Sequence, residues 1–416
     1  MRRLFLQASL ILLLLSSTFA SAQDSSNQAE SSAAPLLKVW LPAPLISDES
    51  GDAYQVLSEH TAEFSASNNI EASYRIKDVG RIGGIVASIR AGKEVAPEAL
   101  PDVALIRRRD FGAALASEYL QSLESLFSSS LLNDLDDGVE FGQIPLDSGL
   151  SLYGLPYFFD LLHSVYTQPG AAARNLLSFD DMLSDEVAFL FPAARANGLN
   201  QTFYLQYLAA GGMTPDDGVM TINEDALLTV LEFYDVLVQR GLITADVLTF
   251  QSPAAYAADF ANQLERPQLA IFNASEYLAM IDQQAINVVA GEIPTADGNG
   301  SSILNGWLWV IVTPDRGRQA LAARFLEWMM EPAFHAEFSR ALYHLPSQPA
   351  ILDQSLPPAA DSQFFAELLQ SAALPLPEGE GGTAPRLMQE ALAHVLHRDL
   401  SAAEATRQVV EQLAER

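Results

Sequence analysis

The sequence predicts an α/β protein of about two domains, and three observations lead to this prediction. The chain has 416 residues, a length that corresponds to about two domains. Segments with strand-like and helix-like spacing of apolar residues alternate from 36 to 106, an order typical of a parallel sheet flanked by helices. The stretch 302–330 repeats this pattern as a strand, a proline-containing turn and an amphipathic helix.

The N-terminus has the features of a secretory signal peptide. Two arginines precede an apolar core at 10–15, and small residues occupy 20–22, where a signal peptidase would cut. We therefore predict a signal peptide over 1–22 and a flexible polar leader over 23–35. An uncleaved membrane anchor is the alternative, but the apolar core is short for a membrane span.

The chain contains no cysteine. This composition excludes disulfides, thiol catalysis, cysteine-based metal sites and a lipid-modified cysteine anchor. Together with the signal peptide, it predicts a protein that is free in the periplasm or outside the cell.

Charge and motif content exclude several classes of function. The chain has 52 acidic and 23 basic residues and a formal net charge of −29, which disfavours nucleic acid and anionic membranes as partners. His394 and His397 could share a helix face, but no third ligand lies nearby in the sequence, so we expect no metal site. We also expect no cofactor, because no P-loop, dinucleotide-binding or hydrolase motif occurs.

The elements follow in an order that the spacing of apolar residues predicts. In the first part of the chain we expect strand 36–41, helix 54–64, strand 70–76, helix 82–89 and strand 101–106. Gly92 is expected to end the second of these helices. Further along we expect strand 158–167, helix 200–210, helix 227–240, strand 286–289, strand 303–312, helix 319–329 and a terminal helix pair over 385–416.

Four segments, in this order, resemble the bacterial extracellular solute-binding proteins of family 1, the sugar-type binding components of ABC importers. They are LYGLPY at 152–157, SFDDML at 178–183, the strand–turn–helix at 302–330 and LYHLPSQ at 342–348. The sequence departs from the family pattern at Thr167, where relatives carry Asn, and at Tyr343, where they carry Gly. Each motif is weak alone, so the matching order carries the resemblance.

The resemblance implies a two-lobed, type II periplasmic-binding-protein-like fold. Each lobe would hold a mostly parallel sheet flanked by helices, and hinge strands would join the lobes. We predict lobe one over 36–160 plus 290–313 and lobe two over 161–289 plus 314–416. A chain of this kind would be a monomeric receptor without enzymatic activity that traps a sugar between its lobes and delivers it to the transmembrane subunits of an ABC importer.

Ten residues are candidates for contacting the solute. The loop after the third strand supplies Arg107, Arg108 and Asp110, since ligands bind beyond the carboxyl ends of strands and this loop carries sugar contacts in maltose-type relatives. A single arginine there could equally be part of a solvated basic turn. The other candidates are four aromatic residues suited to stacking on a sugar ring and three residues at family motifs: Trp40, Tyr157, Trp307, Trp309, Asn273, Tyr277 and Asn305.

Two aromatic groups leave alternatives open. Trp307 and Trp309 are two residues apart on a strand and therefore share a face, which is either the ligand cleft or the helix layer. The aromatic residues of 200–210 could contact ligand, but core packing is the preferred interpretation for them.

Two other functions stay open on the sequence. Arg107–Arg109 would suit a receptor of the same fold for an anion or a peptide. The many carboxylates would also allow a secreted glycan-active enzyme, although nothing in the sequence places two of them opposite each other.

Overall fold

The structure is a computed structural model that describes residues 34–47, 51–80, 82–146, 149–167, 177–194, 198–215, 219–262, 266–283, 288–376 and 381–415. The predicted signal peptide and almost all of the leader lie outside these residues, so both stay predictions. None of the helices described is long and apolar enough to cross a bilayer.

The described strands and helices alternate along most of the chain. The strands are β1 (Leu36–Pro42), β2 (Glu71–Lys77), β3 (Val103–Arg107), β4 (Gln143–Leu146), β5 (Gly149–Leu152), β6 (Leu155–Thr167), β7 (Ala188–Leu190), β8 (Gln268–Asn273), β9 (Val289–Gly291), β10 (Ile303–Ile311) and β11 (Leu345–Pro346). The helices are α1 (Asp52–Asn68), α2 (Ile85–Val95), α3 (Ala113–Tyr119), α4 (Ser129–Asn133), α5 (Phe179–Ser184), α6 (Gln201–Ala209), α7 (Glu224–Gln239), α8 (Ala257–Asn262), α9 (Ala274–Gln283), α10 (Arg316–Met329), α11 (Pro332–Ala341), α12 (Leu352–Ser355), α13 (Ser362–Ser371), α14 (Ala384–His397) and α15 (Ala402–Ala414).

Most strands form one continuous sheet in the order β2-β1-β3-β10-β6-β8-β7, and β9 and β11 pair with β6 as well. Strands β1, β2 and β3 pair in parallel, as do β7 and β8. The long strand β6 runs antiparallel to β10 and to β8, and β10 runs antiparallel to β3. The predicted α/β class is therefore confirmed. The parallel content is lower than we expected, because the central strands β6 and β10 pair antiparallel with each other and with β8 and β3.

The two faces of this sheet pack differently. On one face a single apolar cluster, here called the shared core, runs from Ile106 through Phe159 to Phe272. The opposite face is covered by two separate clusters. The first core contains Val39, Leu105 and Trp309, and the second core contains Tyr166, Ile271 and the helices α7, α14 and α15. One face of the sheet is therefore divided between two groups of helices.

Helices α10 and α11 pack in the first core. Phe325 and Phe338 belong to this core together with Phe64 of α1, and the ring of Phe325 meets the ring of Phe64 edge-on at 5.5 Å. The lobe boundaries stay a prediction, but this packing favours assigning 316–341 to lobe one rather than lobe two.

Helix α2 differs from its predicted position. It begins at Ile85, after Gly84 as N-cap residue, so Ile82 precedes the helix and is 96% exposed. Gly92 lies inside the helix rather than at its end, and a Cβ at this position would approach Leu100 Cδ2 to 2.6 Å. The glycine leaves room for the Leu100 side chain and does not terminate the helix.

Candidate functional site

A polar gap interrupts the divided face of the sheet at the boundary between the first and second cores. Four residues that alternate with core residues along their strands form this gap: Arg107 on β3, Asn305 on β10, Asp160 on β6 and Asn273 on β8. Because side chains alternate between the faces of a strand, these four lie on the divided face. The strand register aligns them across the sheet.

The backbone pairing places the four polar residues in adjacent positions. Asn305 is directly opposite Asp160. Arg107 is opposite Trp307, and Asn273 is opposite Leu162. The gap therefore forms a polar floor with an aromatic ring and an apolar side chain at its sides.

This floor lies at the bottom of a cavity of about 600 Å³, a volume typical of small-molecule sites. All four polar residues and Trp307 line the cavity. The walls come from the loop after β3 with Arg109, from the first turn of α6, from the segment 251–253 and from the start of α14 with Arg386. Residues from the first-core side and from the second-core side of the sheet thus line the same cavity.

Hydrogen bonds hold the floor side chains in place. The Ser275 backbone N–H and hydroxyl donate to the two carboxylate oxygens of Asp160, at 2.9 and 3.0 Å. The Gln201 side chain at the start of α6 and Asn305 exchange two amide hydrogen bonds of 3.1 and 2.9 Å. The Asn273 amide donates to Glu276 at 2.9 Å. Planar groups are therefore preorganised around the cavity.

Burial perturbs three titratable groups at the site. It raises the pKa of Asp160, an effect that nearby His344 and the two Ser275 hydrogen bonds oppose. Burial also raises the pKa of Glu276 to about 7, and the Asp160 charge adds to this shift. The pKa of Tyr204, which lines the cavity from α6, is raised to about 12 by burial, so its hydroxyl stays protonated and can donate a hydrogen bond.

The residues described contain no group of three or more His, Asp or Glu side chains that could hold a metal ion. The chemistry that the lining residues offer is hydrogen bonding by planar groups, aromatic stacking and charge pairing by arginine. These are the interactions that small polar solutes require.

No protein-family model matches this sequence, and no curated protein matches it. Solved structures do match along nearly the whole chain. The cyclic alpha-maltosyl-1,6-maltose binding protein from Arthrobacter globiformis has a TM-score of 0.71 at 17% identity and covers 91% of this chain and 98% of its own. Maltose-bound MalE3 from T. maritima has a TM-score of 0.67 at 15% identity, with 92% and 99% covered.

A third match is an ABC transporter solute-binding protein from Thermotoga lettingae, bound to α-D-tagatose. Its TM-score is 0.66 at 17% identity, and the match covers 92% of this chain and 99% of that one. This chain has a maltose-binding-protein-like fold. At these identities the comparison establishes the fold alone, and any contact with a solute must be argued from the side chains of this protein.

In this maltose-binding-protein-like fold, four of the ten candidate residues line the cavity: Arg107, Asn273, Asn305 and Trp307. The two tryptophans share a face, as expected from their spacing, but their surroundings differ. Trp307 borders the cavity, whereas Trp309 is fully buried in the first core between Tyr157 and Phe325. The strand runs from the cavity edge into the helix layer, and contact between Trp307 and a solute stays a prediction.

The other candidates occupy different places. Tyr157 is fully buried, and its hydroxyl donates to the Met329 carbonyl at 3.1 Å. Trp40 is packed in the shared core with the Lys77 ammonium 4.6 Å from its ring. The ring of Tyr277 is buried against His163, on the face opposite the cavity.

The residues of the basic loop after β3 lie in different environments. Arg107 makes two hydrogen bonds to Asp110, at 2.6 and 2.9 Å, so Asp110 orients Arg107 and does not itself line the cavity. Arg108 is buried with its guanidinium near the rings of Phe111 and Phe141. Arg109, which was not among the candidates, lines the cavity instead.

Sequence reasoning missed Asp160, Gln201 and Arg386. A signal for Asp160 was present, because it is the only acidic residue in the apolar strand 155–167. Gln201 and Arg386 give no comparable signal, since each occupies a polar position at the start of an amphipathic helix, where polar residues are common. For Tyr204 the sequence favours core packing, and the residue does pack in the second core, but it also borders the cavity.

Proposed function

We propose that this protein is an extracytoplasmic receptor that binds a sugar or an oligosaccharide in the cavity and delivers it to an ABC importer. The observation that carries the proposal is the strand register, which collects Arg107, Asp160, Asn273 and Asn305 at one polar floor beside Trp307. Structures of the same fold, named for binding maltose or tagatose, support a saccharide as ligand.

The lining groups match the chemistry of a sugar. Trp307 and Tyr204 supply rings that can cover the apolar C–H face of a pyranose. Asp160, Asn305 and Gln201 supply planar donors and acceptors for its hydroxyls, and pairing matters because an unpaired buried polar group costs about 1–3 kcal/mol. A sugar ring held between these aromatic and planar polar groups can therefore bury its C–H face and form hydrogen bonds with its hydroxyls.

A binding role without turnover agrees better with the lining than catalysis does. Glycoside hydrolysis uses two carboxyl groups on opposite sides of the scissile bond. Among the residues described, Asp160 is the only carboxylate that lines the cavity. The proposed receptor acts as a monomer, closes its lobes around the ligand and docks on the permease.

The test is ligand-induced stabilisation of the mature chain, residues 23–416. Thermal unfolding would be followed with maltose, maltotriose, tagatose and other neutral and acidic saccharides, and hits would be measured by calorimetry. A ligand that binds only the folded state raises Tm, by mass action. Turnover of an oligosaccharide, or a response only to amino acids or inorganic anions, would contradict the proposal.

Expression of the full-length chain, residues 1–416, tests export. Mass spectrometry of the chain purified from a bacterial periplasm should give an N-terminus at Gln23. A mature chain that begins at Met1 would contradict the cleavage.

A further inference from the structure

Glu276 is a half-buried carboxylate beside the cavity floor that the proposed solute contacts do not use. It lies in the first turn of α9, three residues after Asn273, which ends β8 and lines the cavity. Glu276 itself does not line the cavity. Any effect of this carboxylate on a bound solute must therefore be transmitted by a neighbouring residue.

Asn273 is that neighbour, because it makes two hydrogen bonds to the Glu276 carboxylate. Its backbone N–H donates to Oε2 of Glu276 at 3.2 Å, and its side-chain Nδ2 donates to the same oxygen at 2.9 Å. The first bond is the usual one of a helix capping box, in which the third helical residue accepts from the backbone at the helix start. The second bond is not part of a capping box, and it fixes the orientation of the Asn273 amide.

This orientation leaves an unused acceptor at the floor. Because Nδ2 of Asn273 faces Glu276, the carbonyl oxygen Oδ1 is directed away from the carboxylate. No described residue donates to Oδ1, and this oxygen is not buried, although Asn273 is one of the four floor residues. An ionised carboxylate can only accept hydrogen bonds, so it selects this orientation of the amide over the flipped one.

The surroundings of Glu276 make its charge state adjustable. Burial raises the pKa of Glu276 to about 7, the charge of Asp160 on β6 adds to this shift, and the two hydrogen bonds from Asn273 oppose it. Tyr256 is the other titratable neighbour, and its own pKa is raised by burial and by the Glu276 charge. His344 acts on Asp160.

We propose that Glu276 is a positioning residue for solute binding: while ionised, it holds Oδ1 of Asn273 towards the cavity as an acceptor for a solute hydroxyl. A protonated Glu276 can donate a hydrogen bond, and Oδ1 then becomes a suitable partner for it. The amide is then free to turn its NH₂ group towards the cavity. This inference rests on the proposed sugar-receptor function and adds a dependence of affinity on pH.

The pH dependence of affinity is the first test. A solute that donates to Oδ1 favours ionised Glu276, so affinity should be complete above the pKa of about 7 and be lost as the pH falls through it. Calorimetry would use maltose, maltotriose and tagatose as probes between about pH 8 and about pH 5.5. We expect Kd to rise about tenfold, which corresponds to a pKa change of about one unit on binding.

Variants at Glu276 separate its charge from its place in the helix. Glu276→Gln keeps an acceptor for Asn273 but cannot titrate, so its Kd should stay within about threefold of wild type at about pH 8 and vary little with pH. Glu276→Ala removes the acceptor and should weaken binding about tenfold at every pH. The matched control is Glu337→Gln on the exposed side of α11, which should keep the wild-type pH profile.

Two further measurements test whether Glu276 acts through Asn273. In an Asn273→Ala background, Glu276→Gln should change neither Kd nor its pH dependence, because the amide that it orients is absent. NMR of the chain labelled with ¹⁵N in asparagine gives a readout without ligand. The side-chain NH₂ signal of Asn273 should shift around pH 7 in the wild type and should not shift in Glu276→Gln.

The outcomes distinguish this inference from the function on which it rests. If wild type and Glu276→Gln show the same pH dependence, or if the Asn273 signal does not respond to pH, the positioning role is excluded and the sugar receptor stands. An effect of Glu276→Gln that persists in the Asn273→Ala background would also overturn the inference. If none of the saccharides binds at any pH, both proposals fail.

Discussion

Asp160 occupies a position that would destabilise the fold if it served packing alone. It lies in the middle of the apolar strand β6, with Phe159 and Leu161 as neighbours, and Ser275 satisfies its two oxygens. Burying an ionisable group without a role is costly, and its raised pKa reflects this cost. Perturbed carboxyl groups in a cleft are frequently functional.

We therefore predict that Asp160→Asn weakens saccharide binding about 10- to 100-fold, since one oxygen that accepts hydrogen bonds from ligand hydroxyls becomes a donor. The shape of the side chain is unchanged, so the Tm of the unliganded protein should change little. Calorimetry measures the affinity. The control is Asp353→Asn on the exposed side of α12. Equal affinity of both variants would remove Asp160 from the site.

His163 is a buried histidine whose role is structural. Its Nδ1–H donates to the Ser164 carbonyl at 2.9 Å, and its ring meets Tyr277, Phe364 and Phe365 edge-on. The other ring nitrogen, Nε2, is buried without a hydrogen-bond partner in the structure. Burial lowers the pKa of His163 from 6.5 to about 4.

This shift makes stability depend on pH with a defined sign. The unfolded chain takes up a proton at His163 near pH 6.5, whereas the folded chain resists protonation down to about pH 4. Stability is therefore complete above pH 6.5 and is lost as pH falls towards 4, by up to about 1.4 kcal/mol per pH unit. His335 acts in the same direction, and Glu276, whose pKa is raised to about 7, acts in the opposite one.

We predict that His163→Phe reduces the loss of stability between pH 6.5 and 4, because it removes one of the two described histidines whose pKa burial lowers and leaves the other contributions in place. Urea unfolding at a series of pH values measures the slope. Phe364→Leu disturbs the same aromatic cluster without removing a titratable group, so this control should keep the wild-type slope. An unchanged slope in His163→Phe would show that the histidine is protonated without cost.

The two central strands β6 and β10 meet at a tight point beside the cavity. Gly306 is paired with Phe159 and has a positive φ of 149°. A Cβ on Gly306 would lie 2.1 Å from the Phe158 carbonyl oxygen, and the register shifts at the next pair of residues. The glycine therefore permits the close approach of β6 and β10 between Asn305, which is opposite Asp160, and Trp307, which borders the cavity.

We predict that Gly306→Ala destabilises the protein by several kcal/mol, since both strain at positive φ and a backbone clash oppose it, and these typically cost about 1–3 kcal/mol each. Saccharide affinity should fall as well, because the floor register is disturbed. Chemical denaturation and calorimetry measure the two effects. Gly317→Ala in the first turn of α10 is the control and should be close to neutral in stability.

The charge of the whole molecule opposes its compact state. A net charge of −29 on one chain produces mutual repulsion among the acidic groups of the surface. The arginines of the cavity are the local exception to this pattern. Salt screens the repulsion over about 10 Å at 0.1 M, so the surface term weakens while buried contacts are little affected.

We therefore predict that Tm rises when NaCl is increased from about 10 mM to about 300 mM, a range over which surface charges become screened. Differential scanning calorimetry without ligand measures it. A sucrose series of matched osmolality is the control for non-electrostatic stabilisation. A Tm that falls, or rises only as much as in sucrose, would mean that the acidic surface does not limit stability.

Much of the fold could be predicted because its signals are local. The almost unbroken apolar run at 303–312 indicates a strand buried on both faces, and the helical spacing at 319–329 indicates a helix with one buried face, so the sequence alone was sufficient for the α/β class and the order of the main elements. Local irregularities were not accessible in this way. Helix α2 begins after Gly84, and Gly92 lies inside it, where the missing Cβ leaves room for the Leu100 side chain.

The site was only partly predictable because it is made by register between strands that are distant in sequence. Residue types identified Asn305 and Trp307 as candidates, but equally suitable residues such as Trp309 and Tyr157 proved to be core. Only the tertiary structure decided that Asp160, Asn305, Arg107 and Asn273 meet, because a shift of one residue in any strand would turn its polar group to the other face. Composition and periodicity describe each strand by itself, whereas a binding site is a relation among several.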